Sequence, residues 1–316
     1  MSRRRDRISA RQLGALALSS AGLPVLRVCC RVSWPWVLAG SLAAAGSLCL
    51  LTELWERRAG GGRRLFGRLL SPLLLAGALG AAWESGYAFP ETAGSWLAAA
   101  LVLALAGAAA RIGPAAPGRC AGILLWIVGG LCGAVLLFSL PQVRAERLYP
   151  AGGPSDALRV WGALLLPGAA LWLKPALGPD QRLPRWPWCW SAGAALAASL
   201  VTGGILSPPL ARDPEAFRTL ARGVSVLGVI RRFEALVNGA MLMSGFSLCV
   251  LLLSAAALPW KPRAINGPKG PKPGSKKTLK KVKKSVDKSG SRCYYMRARC
   301  GRDFGSCRAR KKVSRN

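Results

Sequence analysis

The chain has 316 residues, of which 52% are hydrophobic and 18% charged, and its 45 Lys and Arg against 13 Asp and Glu give a net charge of +32. It contains no His, which excludes His-based catalysis, haem ligation by His and zinc sites with imidazole ligands. Long apolar runs recur from residue 12 to residue 258, more than a water-soluble core of this length needs, so the composition predicts a membrane protein.

The apolar runs predict an all-α fold, a polytopic bundle of membrane-spanning helices. A helix needs about 20 mostly apolar residues to cross the hydrocarbon core, and the runs do not alternate as the strands of a membrane barrel would. A large soluble bundle is the alternative, but it would need charged faces that most of the runs lack. We predict eight spans, at residues 12–30, 34–54, 69–89, 93–110, 120–140, 157–173, 187–207 and 235–258.

Basic residues in the loops predict the orientation. The first run follows a basic stretch but lacks a small-residue cleavage site, so we expect a retained helix and not a secretion signal. With the N-terminus in the cytoplasm, the cytoplasmic segments before residue 261 hold 15 Lys and Arg and the first three outer loops hold five, which agrees with the positive-inside rule. The fourth outer loop, 208–234, disagrees, because it carries five Arg.

Small residues and proline interrupt the first and the sixth predicted spans. The interrupting residues are Ser20, Gly22 and Pro24 in the first span and Gly162, Pro167 and Gly168 in the sixth. Pro24 cannot donate a backbone hydrogen bond, and Gly22 weakens the helix around it. In several transporter folds the first and sixth helices are broken, are related by an inverted repeat and enclose the substrate, so we expect these residues to bind a solute. Ordinary kinks are the alternative.

Glu84 is an ionisable residue inside the third predicted span. An acidic side chain there is expensive, so Glu84 is a further candidate for substrate binding, although its place near the outer end would also let it reach water. It has no acidic or His partner in a neighbouring span, so we expect neither an enzyme nor a cofactor. After the seventh span, residues 215–220 predict a short helix, either a solvated surface element or a lid above the cavity.

Two short segments at the ends of the apolar body carry a resemblance to a known family. The first is ISARQL at residues 8–13, and the second is ARGVSVLGVIRRFEAL at 221–236, which contains Arg222, Arg231, Arg232, Phe233 and Glu234. Both resemble the spore-germination permeases, polytopic subunits of germinant receptors that are related to amino acid/polyamine/organocation transporters.

The resemblance implies a transporter-like inverted-repeat fold of ten spans with a helical outer loop between the seventh and the eighth. It also implies a place in the bacterial cell or spore inner membrane, a small solute such as an amino acid, and other germinant-receptor subunits as partners. The chain departs from the family after the eighth span. Either this member lacks the last two spans, or its coding sequence shifts frame near residue 260.

Residues 261–316 form a basic tail after the membrane domain, 1–260. The tail holds 20 of the 45 Lys and Arg. Its composition predicts disorder, and its paired lysines favour anionic lipid; a tail on such a body gives us no reason to expect a nucleic-acid partner, although Tyr294 and Tyr295 could stack on bases. The tail cysteines are too widely spaced for a metal site. A second hypothesis is therefore a structural or assembly protein of the membrane, whose tail binds lipid or a partner.

Overall fold

A computed structural model describes residues 8–57, 63–86, 95–148, 152–177, 181–206, 213, 215–223 and 233–260. These residues form an all-α bundle, in which the single β-type contact is an isolated bridge between Ile8 and Leu177. The α-helices of the described part are α1 (Ala10–Arg27), α2 (Trp34–Arg57), α3 (Arg63–Gly86), α4 (Ser95–Ile112), α5 (Ala115–Ser139), α6 (Pro154–Leu165), α7 (Trp186–Ile205), α8 (Ala216–Gly223) and α9 (Phe233–Ala257).

Helices α1 and α9 form the centre of the bundle. Within its most apolar stretch, α1 has 83% of its residues buried and α9 has 67%, against 17% for α5. Helix α9 packs against α1, α3, α4 and α5, whereas α1 also packs against α7, and α2 packs against α6 and α7. The core therefore follows the contact between α1 and α9, and the other helices form a shell around it.

The outer helices expose large apolar side chains. Trp126 of α5 is 82% exposed, Leu69 of α3 is 70% exposed and Ile123 of α5 is 66% exposed. Water would penalise so much exposed apolar surface, whereas hydrocarbon solvates it well. Seven of the described helices are long and apolar enough to cross a membrane. Seven such helices are compatible with a multi-pass integral membrane protein.

The third predicted span, residues 69–89, overlaps α3, which is not among those seven. The helix begins with three Arg, at positions 63, 64 and 68, and carries Glu84 near its end. The apolar part between these charges is therefore short. Among the described residues, seven helices meet the length and hydropathy of a span, and the count of eight stays a prediction.

The start of α1 is fixed by a capping box. Ser9 Oγ accepts a hydrogen bond from the Gln12 N–H at 3.2 Å, and Gln12 Oε1 accepts one from the Ser9 N–H at 3.0 Å. The preceding Ile8 is 1% exposed, and its N–H donates to the carbonyl of Ala176 at 3.1 Å. The segment ISARQL therefore begins the helix and ties it to the end of the sixth predicted span.

At each end of the bundle, a hydrogen bond joins two segments that the predicted topology places on the same side of the membrane. At one end, the Leu183 N–H donates to Glu56 Oε1 at 2.8 Å, which joins two predicted cytoplasmic segments. At the other end, the Arg144 N–H donates to the Gly204 carbonyl at 2.9 Å, which joins a predicted outer loop to the end of α7. Each of these two contacts therefore joins segments that the predicted topology places on the same side of the membrane.

Helix α6 changes type along its length. Its α-helical part ends at Leu165, and Leu166–Ala176 continues as a 3-10 helix of 11 residues. Pro167 and Pro175 lie in this part, and neither has the N–H that an α-helical hydrogen bond would need. Long 3-10 runs are uncommon and often mark strained or functional segments. The interruption at Pro167 and Gly168 thus takes the form of a change of helix type.

Gly245 sets the spacing between α9 and α3, which gives a test of this packing. A Cβ atom at position 245 would overlap Ser85 Oγ and lie 2.9 Å from Ser85 Cβ. We expect Gly245→Ala to lower the free energy of unfolding by about 1–3 kcal/mol, because α3 must move away. Gly239→Ala in the same helix is the matched control, since nothing lies within 4 Å of a Cβ there.

The control should be neutral or stabilising by up to about 1 kcal/mol, because Ala favours a helix more than Gly does. Thermal unfolding of both variants in one detergent measures the difference. Equal midpoints would show that α3 and α9 do not meet at Gly245.

Candidate functional site

Helix α1 runs as one α-helix from Ala10 to Arg27, so the break predicted at Ser20, Gly22 and Pro24 is not present in the structure. A side chain of α9 contacts the backbone of α1 at this place. Ser244 Oγ accepts a hydrogen bond from the Leu23 N–H at 2.6 Å and donates one to the Ser19 carbonyl at 2.7 Å. These are the donor and the acceptor of one ladder position of an α-helix, so the hydroxyl bridges them. At the next position, Pro24 offers no N–H to the carbonyl of Ser20.

Gly22 allows α9 to approach α1 at this place. A Cβ atom at position 22 would lie 2.7 Å from Ser244 Oγ and 3.4 Å from Val128 Cγ1. Gly22 also lines an apolar cavity of about 160 Å³ between α1, α5 and α7. Ser20 is fully buried, and its Oγ donates to the Ala17 carbonyl within α1 at 2.7 Å. Both predicted site residues thus have a packing role at the centre of the bundle.

A cavity of about 240 Å³ lies where α1, α3 and the end of α6 meet. Its lining includes Pro24 and Arg27 of α1, Gly80 and Glu84 of α3, and Leu166 at the change of helix type. We call it the inner cavity. The first and the sixth predicted spans therefore both contribute to the inner cavity. Two of the predicted site residues, Pro24 and Glu84, lie in its wall.

Arg27 and Glu84 bring opposite charges to the inner cavity. Arg27 is 5% exposed, whereas the Glu84 side chain is 47% exposed. Arg27 Nη2 donates to the Glu84 carbonyl oxygen at 3.2 Å, and Arg27 Nε lies 3.7 Å from Glu84 Oε2. A buried guanidinium is costly without such partners. The pair therefore holds a positive and a negative group side by side in the wall of the cavity.

A larger cavity of about 860 Å³ adjoins the inner one and shares Arg27 and Arg31 with it. Its lining also includes Gly162, Asp156 and Arg159 of α6. We call it the vestibule. It lies beside the end of α1 and the beginning of α6, and of the predicted residues in the sixth span only Gly162 lines it.

The other two predicted residues of the sixth span lie away from these cavities. Pro167 and Gly168 are buried, and a Cβ atom at position 168 would overlap Leu48 Cδ2 of α2. Neither residue lines the inner cavity or the vestibule. Gly168 therefore lets α2 pack closely against the 3-10 helix.

Helix α8 is held to the start of α9 by charged side chains. Glu234, in the first turn of α9, accepts hydrogen bonds from Arg218 Nε and from Arg222 Nε at 2.6 Å and Nη2 at 2.8 Å. Arg218 Nη1 also donates to Glu215 Oε2 at 3.0 Å. Phe217 is fully buried, so the apolar face of α8 points into the bundle. Helix α8 is therefore an amphipathic helix held to the start of α9 by ion pairs, and it is not a freely solvated surface element.

Three residues of the segment 221–236, which resembles the permease family, lie in this group of ion pairs or beside it. Arg222 and Glu234 pair directly, and the Phe233 ring lies 6.4 Å from the Phe138 ring between centroids. Arg231 and Arg232 lie outside the described residues, as does the tail, 261–316.

Sequence reasoning missed Arg27 and Ser244. Arg27 lies inside the predicted span 12–30, and an ionisable residue within a span is itself a functional signal. The prediction of orientation counts Arg27 only as one of the five basic residues of the outer loops. Ser244 carries no comparable signal, because a serine in a membrane helix commonly bonds to its own backbone.

No family model matches this chain, and no curated protein matches it either. The resemblance to the spore-germination permeases therefore stays a prediction. The function has to be argued from the cavities and charges of the bundle.

Replacing Ser244 tests whether its hydroxyl completes the ladder of α1. We expect Ser244→Ala to lower the free energy of unfolding by about 1–3 kcal/mol, because a buried N–H and a buried carbonyl lose their partner. Ser247→Ala is the control, since Ser247 Oγ donates only to the Met243 carbonyl of its own helix in the described contacts, at 3.0 Å. If Ser244→Ala and Ser247→Ala unfold at the same temperature in detergent, the contact between the Ser244 hydroxyl and α1 does not stabilise the bundle.

Gly22→Ala should depend on the residue at position 244. In the natural chain the new Cβ meets the Ser244 hydroxyl, whereas in Ser244→Ala that oxygen is gone. We expect a coupling of about 0.5–3 kcal/mol between the two changes in a double-mutant cycle, as for residues in contact. If the effects of the two changes on the free energy of unfolding are additive, Gly22 and Ser244 do not interact.

Proposed function

We propose that the chain is a permease-like integral membrane protein that binds a small solute, such as an amino acid, in the inner cavity. The main support is that Pro24, Leu166 and Glu84 line this one cavity, although they come from three helices far apart in sequence. Its volume of about 240 Å³ lies just below the usual range for ligand pockets, so a small solute fits it best.

The charges of the wall favour a zwitterion. A carboxylate would bind the guanidinium of Arg27, which presents paired donors, and an ammonium would bind the carboxylate of Glu84. The two side chains approach within 3.7 Å, so one molecule could reach both. Leu166 and Leu248 in the same wall would contact an apolar side chain of the solute.

The proposal extends to the topology. At 24 residues, α3 is about 36 Å long, enough to cross the hydrocarbon core, and counting it as a span brings the total to eight. We place the N-terminus in the cytoplasm of a bacterial cell or spore inner membrane, from the loop charges and the family resemblance. We propose an inverted repeat as well, because small residues and proline punctuate the sequence of both the first and the sixth spans.

Solute binding would act on the element that already departs from regular α-helix. The 3-10 part of the sixth span borders the inner cavity at Leu166, and it has a regular α-helical alternative. A solute that fits one arrangement better than the other shifts their populations. The result would be either translocation or a signal to other germinant-receptor subunits.

Filling the inner cavity tests the proposal. Gly80 lines it and a Cβ at that position meets nothing within 4 Å, so Gly80→Leu should occupy the cavity without a clash. We expect wild-type protein in liposomes to bind at least one member of a panel of radiolabelled amino acids saturably, and Gly80→Leu to lose that binding. Gly46→Leu is the matched control, because Gly46 is exposed on α2 with nothing within 4 Å.

An unchanged binding curve in Gly80→Leu, or a loss shared with Gly46→Leu, would contradict the inner cavity as the site. Unfolding midpoints of both variants should be measured alongside, so that lost binding is separated from lost folding.

Deleting residues 261–316 separates the proposal from the structural or assembly hypothesis. We expect the shortened chain to insert and to bind its amino acid as the full chain does, because the inner cavity lies wholly within residues 23–248. Binding that disappears with the tail would instead favour a role centred on the tail.

A further inference from the structure

We propose that the vestibule binds an oxyanion, the phosphate or carboxylate group of a ligand separate from the solute in the inner cavity. Three guanidinium groups, those of Arg27, Arg31 and Arg159, line the vestibule, and its one acidic side chain is Asp156. Like charges gathered around one cavity raise its positive potential and attract anions.

The nearby carboxylates offset only part of this potential. Asp156 Oδ2 accepts the Gly153 N–H at 3.3 Å and so helps to begin α6, and its Oδ1 lies 3.4 Å from Arg159 Nη1. Glu84, in the wall of the inner cavity, lies 3.7 Å from Arg27 and offsets part of its charge. Three arginines in the lining therefore stand against these two carboxylates, which leaves an excess of positive charge.

Burial differs among the three arginines in a way that suits a bound anion. Arg27 is 5% exposed at the inner side, whereas the Arg159 side chain is 73% exposed at the mouth. An anion could therefore enter past Arg159 and reach Arg27, where the lower dielectric strengthens the attraction. Guanidinium groups bind two oxygens of a phosphate or carboxylate at once, which an isolated ammonium does not do.

The ligand has two sources with the same chemistry. The vestibule lies beside the end of α1, and the end of a membrane-spanning helix lies near lipid headgroups, so an anionic phospholipid could supply the phosphate. Its volume of about 860 Å³ also admits a soluble anion larger than phosphate itself. The test must therefore separate a headgroup from a free anion.

The first arm measures binding of radiolabelled inorganic phosphate to the full chain in a maltoside detergent, which contains no phosphate, at low ionic strength. The second arm measures how much phosphatidylglycerol stays on the protein, by native mass spectrometry, after extraction from mixed phosphatidylcholine and phosphatidylglycerol vesicles. Arg31→Gln and Arg159→Gln are the test variants. Arg57→Gln is the control, because it removes the same charge at the opposite end of α2, where the side chain is 75% exposed.

We expect each test variant to weaken binding about tenfold in one arm, the loss that follows from removing one charge-assisted hydrogen bond. Loss in the phosphate arm identifies a soluble anion, and loss in the lipid arm identifies a headgroup. No binding by the natural chain in either arm, or equal binding by test variants and Arg57→Gln, overturns the site. Gly80→Leu should keep this binding, so failure of the inner cavity as a solute site leaves the anion site standing.

Discussion

The structure depends on one constraint, that a helix in hydrocarbon must satisfy its own backbone groups or borrow a partner from a neighbour. An unpaired backbone group in lipid costs several kcal/mol. Pro24 removes one backbone donor from α1, and next to it the Ser244 hydroxyl of α9 accepts from the Leu23 N–H and donates to the Ser19 carbonyl. Helices α1 and α9 are therefore one structural unit, and Gly22 is small because the hydroxyl must reach the ladder.

The sixth predicted span meets the same constraint differently. Its residues from Leu166 onward pair in a 3-10 pattern, which needs no outside partner. The Leu23 N–H, the Ser19 carbonyl and the 3-10 segment therefore find their partners within the protein and not in a bound ligand. Recognition in the inner cavity then falls on side chains, chiefly Arg27 and Glu84, and Pro24 and Leu166 contribute to the shape of the wall.

The sequence predicted the helical runs well, because each must be about 20 apolar residues long to cross a bilayer. It could not predict Ser244, since Ser247 of the same helix bonds to its own backbone and only packing separates the two cases. In the predicted fourth outer loop, the structure describes two of the five arginines, Arg218 and Arg222, and both are paired with Glu234.

The buried charge of the described residues is concentrated at one end of the bundle. Arg27 with Glu84 forms one cluster, and Arg218 with Glu234 forms another. Helix α8 is attached to α9 by the ion pairs of Arg218 and Arg222 with Glu234, so its attachment depends on the charge of that carboxylate.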